Sequence, residues 1–335
     1  VIDAASPSRK PGVTRLAPSP TGALHLGNAR TFLVTWAIAR QRGWDIVMRI
    51  EDLDGPRIKP GASDSAMDTL RWLGLDWDHG PIVQSDDLSP YTAAMRSLAE
   101  RGLVYPCEMT RTEIEAAASA PQEAGGGVAS ESRFPPELRP PDFDIPKTFE
   151  IPETNWRFIV PDKSVTFDDD FAGPQSINPA STIGDFTVWT KRGQPSYQLA
   201  VVVDDIRHHV THVVRGDDLL DSAARQTLLY RALGHAAVPK WCHLPLVVGE
   251  DGKRLAKRHG DTRVSMYRDL GVPPERVIGM IADWCGVPGP RREMNAAEFA
   301  AIFDLATMPH ERIVFTAEHD TWLRSGPINQ NQAGR

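Results

Sequence analysis

The sequence predicts an α/β protein built on a parallel sheet, and three neighbouring segments predict it. Val13 to Ala17 has the length and apolar content of a short strand and ends at Pro18. Pro18-Ser19-Pro20-Thr21-Gly22 cannot be helical, because two prolines and a glycine break the pattern. Leu24 to Arg42 then carries Leu26, Ala29, Leu33, Trp36, Ala37 and Arg40 at helical spacing, and Asp45 to Ile50 (DIVMRI) reads as a buried strand. Strand, tight loop, helix and strand in that order is the start of a βαβ unit, which makes the two strands parallel.

The rest of the chain follows in order. Ser63 to Leu73 reads as an amphipathic helix with Ser63 or Asp64 as N-cap, and Pro90 to Arg101 as another. Ser119 to Pro152 holds three glycines at 125–127 and the pairs Pro135-Pro136 and Pro140-Pro141, the composition of an irregular insert. Trp156 to Val160 and Val165 to Asp168 read as strands. Tyr197 to Asp204 is nearly all apolar and is expected to be a central strand, with Val210 to Arg215 as another. Asp218 to Leu233, Pro274 to Trp284 and Ala296 to Phe303 read as helices. Val1 to Gly12 and Gly326 to Arg335 are polar tails, and no internal repeat is present.

Composition bounds the class. A chain of 335 residues is two domains, or one large domain with inserts. With 41% hydrophobic and 24% charged residues it reads as soluble and globular. No run approaches the ~18 apolar residues of a membrane span, so no membrane partner is expected. The N-terminal segment lacks the apolar core of a signal peptide, and a cytoplasmic location is expected. Cys107, Cys242 and Cys285 are far apart and show no CxxC spacing, which fits a reducing compartment. The formal charge of −7 gives no basic balance of the kind nucleic-acid partners favour, although a local basic groove is compatible with it. His208, His209 and His212 are close in sequence, and in a strand His208 and His212 would share a face. No third ligand converges on them in the sequence, so they are read as surface or partly buried histidines and no metal site is expected.

Two motifs carry chemistry. In Arg15-Leu16-Ala17-Pro18-Ser19-Pro20-Thr21-Gly22-Ala23-Leu24-His25-Leu26-Gly27-Asn28 a glycine-bearing turn feeds a helix start directly after a strand. Two readings fit: an ordinary strand-to-helix turn with a capping histidine, or a phosphate cradle of backbone N–H groups and helix dipole joined by His25 and Asn28. Gly252-Lys253-Arg254-Leu255-Ala256-Lys257-Arg258-His259-Gly260 sets four cations between two glycines. It is either a solvated basic loop or a flexible loop that carries lysine to a polyphosphate.

Together the two motifs resemble the signatures of class I aminoacyl-tRNA synthetases: HLGN stands where that class has HIGH, and Arg254 to Arg258 stands where it has KMSKS. The resemblance narrows to the glutamyl/glutaminyl branch through R-x-A-P-S-P-T-G-x-L-H-x-G at Arg15 to Gly27 and Arg49-Ile50-Glu51-Asp52-Leu53-Asp54. Pro195 to Ala200, Val203-Asp204-Asp205 and Thr211 to Leu220 extend it, so the matching blocks cover roughly residues 13 to 260 in one order. The resemblance implies a Rossmann-like class I catalytic core with a parallel sheet of the HUP type, an inserted acceptor-type subdomain and a short helical C-terminal part. The expected division is 13–100 and 191–245 for the two halves of the catalytic domain, 101–190 for the insert, and 246–325 for the KMSKS-like loop and the helical part.

The resemblance also implies roles. Arg15, Ser19, Glu51, Tyr197 and Arg215 would bind L-glutamate: the arginines through carboxylates, Glu51 through the α-ammonium, Ser19 and Tyr197 through neutral hydrogen bonds. Pro18, Gly22, His25, Gly27, Asn28, Arg254 and Lys257 would bind ATP, with Mg²⁺ accompanying it. His25 and Lys257 would be catalytic, stabilising charge on the α-phosphate as the glutamate carboxylate attacks and pyrophosphate leaves. The sequence departs from the signatures at Leu26, Asn28, Arg254 and Ala256, the last removing one hydroxyl contact to phosphate.

Only 75 residues follow Gly260, too few for the helical anticodon-binding half of a full glutamyl-tRNA synthetase. The short paralogues of that enzyme, the glutamyl-Q tRNA(Asp) synthetase family, fit better. They resemble this chain in length and in the blocks at 197–205 and 212–218, and they imply transfer of activated glutamate to queuosine in the anticodon of tRNA(Asp). Many members carry a C-x-C pair after Tyr-Pro. Here Tyr105-Pro106-Cys107-Glu108-Met109 puts methionine at the second position, so structural zinc is expected to be absent. A monomer is expected. The alternatives are a truncated or discriminating glutamyl-tRNA synthetase charging a tRNA 3′ end, a small-molecule nucleotidyltransferase, and a non-catalytic paralogue.

Overall fold

The computed structural model describes residues 12–53, 55–117, 133–150, 153–253, 255 and 261–325. β1 (Val13–Leu16), α1 (Leu26–Arg42) and β2 (Asp45–Ile50) form the expected βαβ unit, the strands parallel with Val13 beside Asp45 and Leu16 beside Met48. Gly43 closes α1 in the left-handed region (φ 63) and donates its N–H to Ala39 O, the stop a glycine makes easily. α2 (Ala62–Trp72) starts earlier than Ser63 or Asp64 predicts. Gly61, at φ 73, is the N-cap, and the first helical hydrogen bond runs from Ser65 N to Gly61 O at 3.0 Å. β3 (His79–Val83) adds to β2 in parallel, and α3 (Ser89–Glu100) follows.

β4 (Val104–Cys107), α4 (Arg111–Ala117), β5 (Asn155–Phe158), β6 (Val165–Asp169), β7 (Gly173–Ile177), α5 (Pro179–Thr182), β8 (Phe186–Thr190) and β9 (Gln194–Pro195) come next. β4, β5, β8 and β9 make a four-stranded antiparallel sheet. A small apolar cluster of Tyr105, Cys107, Ile114 and Phe134 sits at its β4 side. Asp185 is the polar pin of this region. It accepts both Arg139 Nε and Nη2 at 2.7 Å, the Tyr105 hydroxyl at 2.8 Å and Val160 N at 2.8 Å. The adjoining Gly184 cannot carry a side chain: at φ +69 its Cβ would lie 1.9 Å from Phe134 O.

The largest departure from the sequence reading is Tyr197 to Asp204. The segment is not a strand but α6 (Tyr197–Arg207), entered from Ser196 in extended conformation. Every residue from Gln198 to Asp205 is buried. A helix buried all round shows no polar face, so its β-branched apolar run is indistinguishable by periodicity from a buried strand. The histidines separate for the same reason. His208 terminates α6, His209 follows at φ 55, and only His212 lies on a strand, where it stacks on Trp44 at 3.7 Å.

β10 (His212–Gly216), α7 (Leu220–Ala232) and β11 (Lys240–Leu244) form a second parallel unit, with β6 joining β11 beside Trp241 and β7 antiparallel at the edge. The two units meet where β1 and β10 run side by side. Thr211 N donates to Val13 O at 2.9 Å, and Arg15 Nη1 to Val214 O at 3.0 Å. The sheet β3-β2-β1 and the sheet β10-β11-β6-β7 therefore adjoin along β1 and β10, and the chain winds outward in opposite directions from that seam, as at the switch point of a doubly wound fold.

The C-terminal part contains β12 (Val247–Val248), α8 (Val264–Asp269), α9 (Pro274–Trp284), α10 (Ala296–Ile302), β13 (Ile313–Val314) and α11 (Ala317–Arg324). α9 spans the Pro274 to Trp284 segment expected to be helical. Leu33 of α1, Val277 and Ile281 of α9 and Phe299 of α10 belong to one core, which fastens this part to the first βαβ unit. Among the described residues no helix is long and apolar enough to cross a membrane.

Candidate active site

In an open α/β sheet, ligands bind beyond the carboxyl ends of the strands where the strand order reverses. β1 and β10 reverse here, and the carboxyl ends of β1, β2 and β10 bring Arg15, Glu51 and Arg215 to one place. Glu51 N donates to Pro18 O at 3.1 Å, which ties the loop after β1 to the end of β2. Ser19 stands exposed on that loop, and Pro18 is buried beneath it.

Arg15 and Arg215 are both buried, and neither pairs with a carboxylate among the described residues. Arg215 donates Nε to His243 Nε2 at 2.9 Å, Nη1 to Gln226 Oε1 at 2.8 Å and Nη2 to Leu219 O at 3.1 Å, and its guanidinium lies 4.9 Å above the Trp241 ring. Burial pulls its pKa down, and Arg15 nearby adds to that. Two cations sharing a site, neither directly paired with a carboxylate among the described residues, leave N–H donors for an anionic group from outside.

Glu51 is the acid of the cluster. Burial pushes its carboxyl above the ordinary range, against the pull of Arg49 and Arg15. Arg49 holds it through Nη2 at 2.9 Å and Nε at 3.2 Å, both to Oε1. Tyr197 opens α6. The residue is 39% exposed, yet its hydroxyl is pushed up, by burial first and by Glu51 next, with Arg215 and Arg15 opposing. Arg15, Glu51, Tyr197 and Arg215 therefore act on one another electrostatically as a single group.

The second cluster lies at the start of α1. His25 is its N-cap, and Asn28 Oδ1 accepts from His25 N at 3.3 Å in a capping box. Gly27 faces β12, where a Cβ would meet Val247 Cβ at 3.5 Å, and a Cβ on Gly22 would meet nothing within 4 Å. The far side of the basic loop returns to this helix start. His25 bridges to Arg263, Leu26 N donates to Thr262 O at 3.0 Å, and Val264 N to Leu24 O at 2.9 Å. Arg254, Ala256, Lys257 and Arg258 lie outside the described residues. Their flanks do not: Gly249 N bonds Lys253 O at 2.9 Å, and Leu255 is buried in the core beside α1.

Sequence reasoning quoted Arg49 and Asp205 in motifs without giving them work. Arg49 Nη1 reaches Asp205 Oδ1 at 2.7 Å, so one buried arginine links Glu51 to α6, and Tyr230 OH supports Asp205 Oδ2 at 3.2 Å. His243 and Asp169 were missed outright. They are single residues on separate strands, with no local pattern to mark them.

A zinc set does not fit the β4 region. Cys107 is buried among Tyr105, Ile114 and Phe134 with Met109 packed on them, an apolar setting in which no donor set converges among the described residues. Among the described residues no group of three or more His, Cys, Asp or Glu is arranged to hold a metal ion.

Two parallel units that adjoin at a switch point, with two buried arginines at the strand ends and a glycine-bearing loop feeding a helix start, have the frame of a nucleotide-using enzyme of the class I synthetase type. The family described as tRNA synthetases class I (E and Q), catalytic domain, matches residues 13–319. The glutamyl-Q tRNA(Asp) synthetase of Symbiobacterium thermophilum is 44% identical over 328 residues, spanning 93% of this chain and 98% of that protein. That of Rhodopirellula baltica is 48% identical over 282 residues, spanning 82% of this chain and 85% of the relative. The glutamate–tRNA ligase of Nitrosomonas europaea is 36% identical over 310 residues, but this chain spans only 65% of it. The crystal structure of a glutamate tRNA ligase from Elizabethkingia meningosepticum in complex with its amino acid superposes with a TM-score of 0.76 at 29% identity, over 94% of this chain and 69% of that one. The chain belongs to the class I tRNA synthetases for glutamate and glutamine and, within them, to the glutamyl-Q tRNA(Asp) synthetase family.

Proposed function

We propose that the chain activates L-glutamate with ATP, without needing tRNA, and transfers the glutamyl group to queuosine in the anticodon of tRNA(Asp). The α-carboxylate oxygen of glutamate attacks the α-phosphorus of ATP, and pyrophosphate leaves. A hydroxyl of the queuosine cyclopentene then attacks the acyl carbon, and AMP leaves. Members of the family use ATP; Mg²⁺ is proposed to accompany it here. A cytoplasmic location and a monomeric state are proposed with this reading, as is the division into a catalytic domain at 13–100 and 191–245, an insert at 101–190 and a C-terminal part at 246–325.

The observation that carries the reading is the grouping of Arg15, Glu51, Tyr197 and Arg215 at the strand ends, tied through Glu51 N to Pro18 O on the loop that leads into α1. In it, Glu51 takes the substrate ammonium and the two arginines take its carboxylates, with Ser19 and Tyr197 fixing the pose. Pro18, Gly22, Gly27 and Asn28 shape the phosphate site, and His25 meets the α-phosphate. Arg254 and Lys257 are proposed, from their match to the KMSKS-like signature alone, to meet the departing pyrophosphate.

The test is transfer of labelled glutamate to tRNA(Asp) with and without queuosine. Label on the queuosine-bearing tRNA alone, at the anticodon, is the expected result. Label on the 3′ end of tRNA(Glu) would favour a truncated glutamyl-tRNA synthetase instead.

A further inference from the structure

Arg215 has five N–H donors, of which three are spent on His243, Gln226 and Leu219 O. One N–H on each terminal nitrogen remains. A guanidinium only donates, so His243 Nε2 must offer its lone pair, and the ring proton sits on Nδ1. There Asp169 Oδ2 receives it at 2.6 Å. Asp169 is itself aimed by three backbone donors to its other oxygen: Phe171 N at 3.0 Å, Ala172 N at 2.8 Å and His243 N at 3.0 Å. Both side chains are wholly buried. A second line backs Gln226, whose Nε2 donates to Gln198 Oε1 at 2.9 Å, and Gln198 Nε2 to Ser222 Oγ at 3.1 Å. All direct partners of Arg215 are therefore neutral.

We propose that Asp169 and His243 form a positioning relay: the carboxylate selects the histidine tautomer, and the histidine aims the two remaining N–H groups of Arg215 at the carboxylate of its substrate, without setting a protein carboxylate on Arg215. The inference rests on the reading of Arg215 as a glutamate contact. Placing an acid directly on Arg215 would neutralise the pocket and compete with the substrate. Placing it one imidazole away keeps the orientation and leaves the guanidinium free to pair.

Asp169→Asn tests the relay with little change of shape. Its oxygen stays on the three backbone donors, so its amide N–H₂ faces His243 Nδ1 and drives the ring proton to Nε2, donor against donor at Arg215. Asp169→Asn is expected to raise the KM for glutamate in ATP–pyrophosphate exchange by about tenfold or more, with the KM for ATP within about twofold. His243→Asn keeps a partner for Asp169 but falls short of Arg215, and should behave likewise. His243→Gln carries an amide oxygen to the place of Nε2 and should restore near-normal glutamate KM. If these variants lower the melting temperature while the ratio of glutamate to ATP KM stays unmoved, the pair is structural and the relay is wrong. Arg215→Ala separates the two claims. An unchanged glutamate KM there removes the reading of Arg215 and the relay with it. A raised KM there, with Asp169→Asn and His243→Asn unaffected, removes the relay alone. If Asp169→Asn does not fold, the glutamate-induced rise in melting temperature compared between His243→Asn and His243→Gln decides: a rise lost only in His243→Asn supports the relay, and equal rises overturn it.

Discussion

Arg49 joins Asp205 across the sheet at 2.7 Å, both side chains buried, while its other two nitrogens hold Glu51. One guanidinium thus sets the position of the pocket acid relative to α6. Asp205→Asn leaves Arg49 paired with Glu51 but takes away one of its two carboxylates, and is expected to lower stability by about 1.5–3 kcal/mol, read as a fall in melting temperature. The glutamate KM should rise with it, because Glu51 then loses its fixed neighbour. Normal melting with normal KM would dissociate the network from the site.

Glu51 gives a pH dependence whose sign follows from its burial. Its folded pKa is raised above 4.5, so on acidification the native site takes up its proton before an exposed carboxylate would. The linkage term therefore opposes folding as pH rises through that pKa and favours it below. Ammonium binding needs the ionised form, so the glutamate KM should climb on acidification from a pH above 4.5. Glu51→Gln should raise the KM at every pH and flatten this limb.

His243 and Asp169 act on stability in the opposite sense. Burial brings the His243 pKa down to about 4 from 6.5, with the Arg215 charge adding to it, and Asp169 is held at about 2 by the His243 hydrogen bond and backbone donors. The unfolded chain takes up each proton first, so stability is full above 6.5. It is lost as pH falls towards 4 through the histidine, and below 3.8 through the aspartate. Melting temperature followed from pH 7.5 to 5 should drop, and His243→Gln should drop less steeply over the same range.

Lys257→Ala addresses the basic loop whose flanks return to His25. If the lysine stabilises charge as pyrophosphate leaves, kcat for exchange should fall on the order of 100-fold with the glutamate KM little changed. A change confined to KM would assign the lysine to binding instead.

How far the sequence reached depends on where each signal lies. The Arg15 to Asn28 block was legible because loop, cap and helix are contiguous, and α9 because Pro274 marks its first turn. α6 was misread because burial on all sides erases the 3.6-residue period that distinguishes it from a strand. The N-cap of α2 was misplaced because Gly61 starts the helix by its backbone, with no side-chain cap to announce it. The supports of the pocket were illegible for another reason. Arg49 meets Asp205 across 156 positions and His243 meets Asp169 across 74, and such pairings exist only once the sheet is assembled.

The most direct test of the proposed activity is ATP–pyrophosphate exchange with purified chain, ATP, Mg²⁺ and no tRNA. Exchange that depends on L-glutamate, and does not run with glutamine or aspartate, is the predicted result. Exchange that stays silent until tRNA(Glu) is added, or that runs without any amino acid, would contradict it.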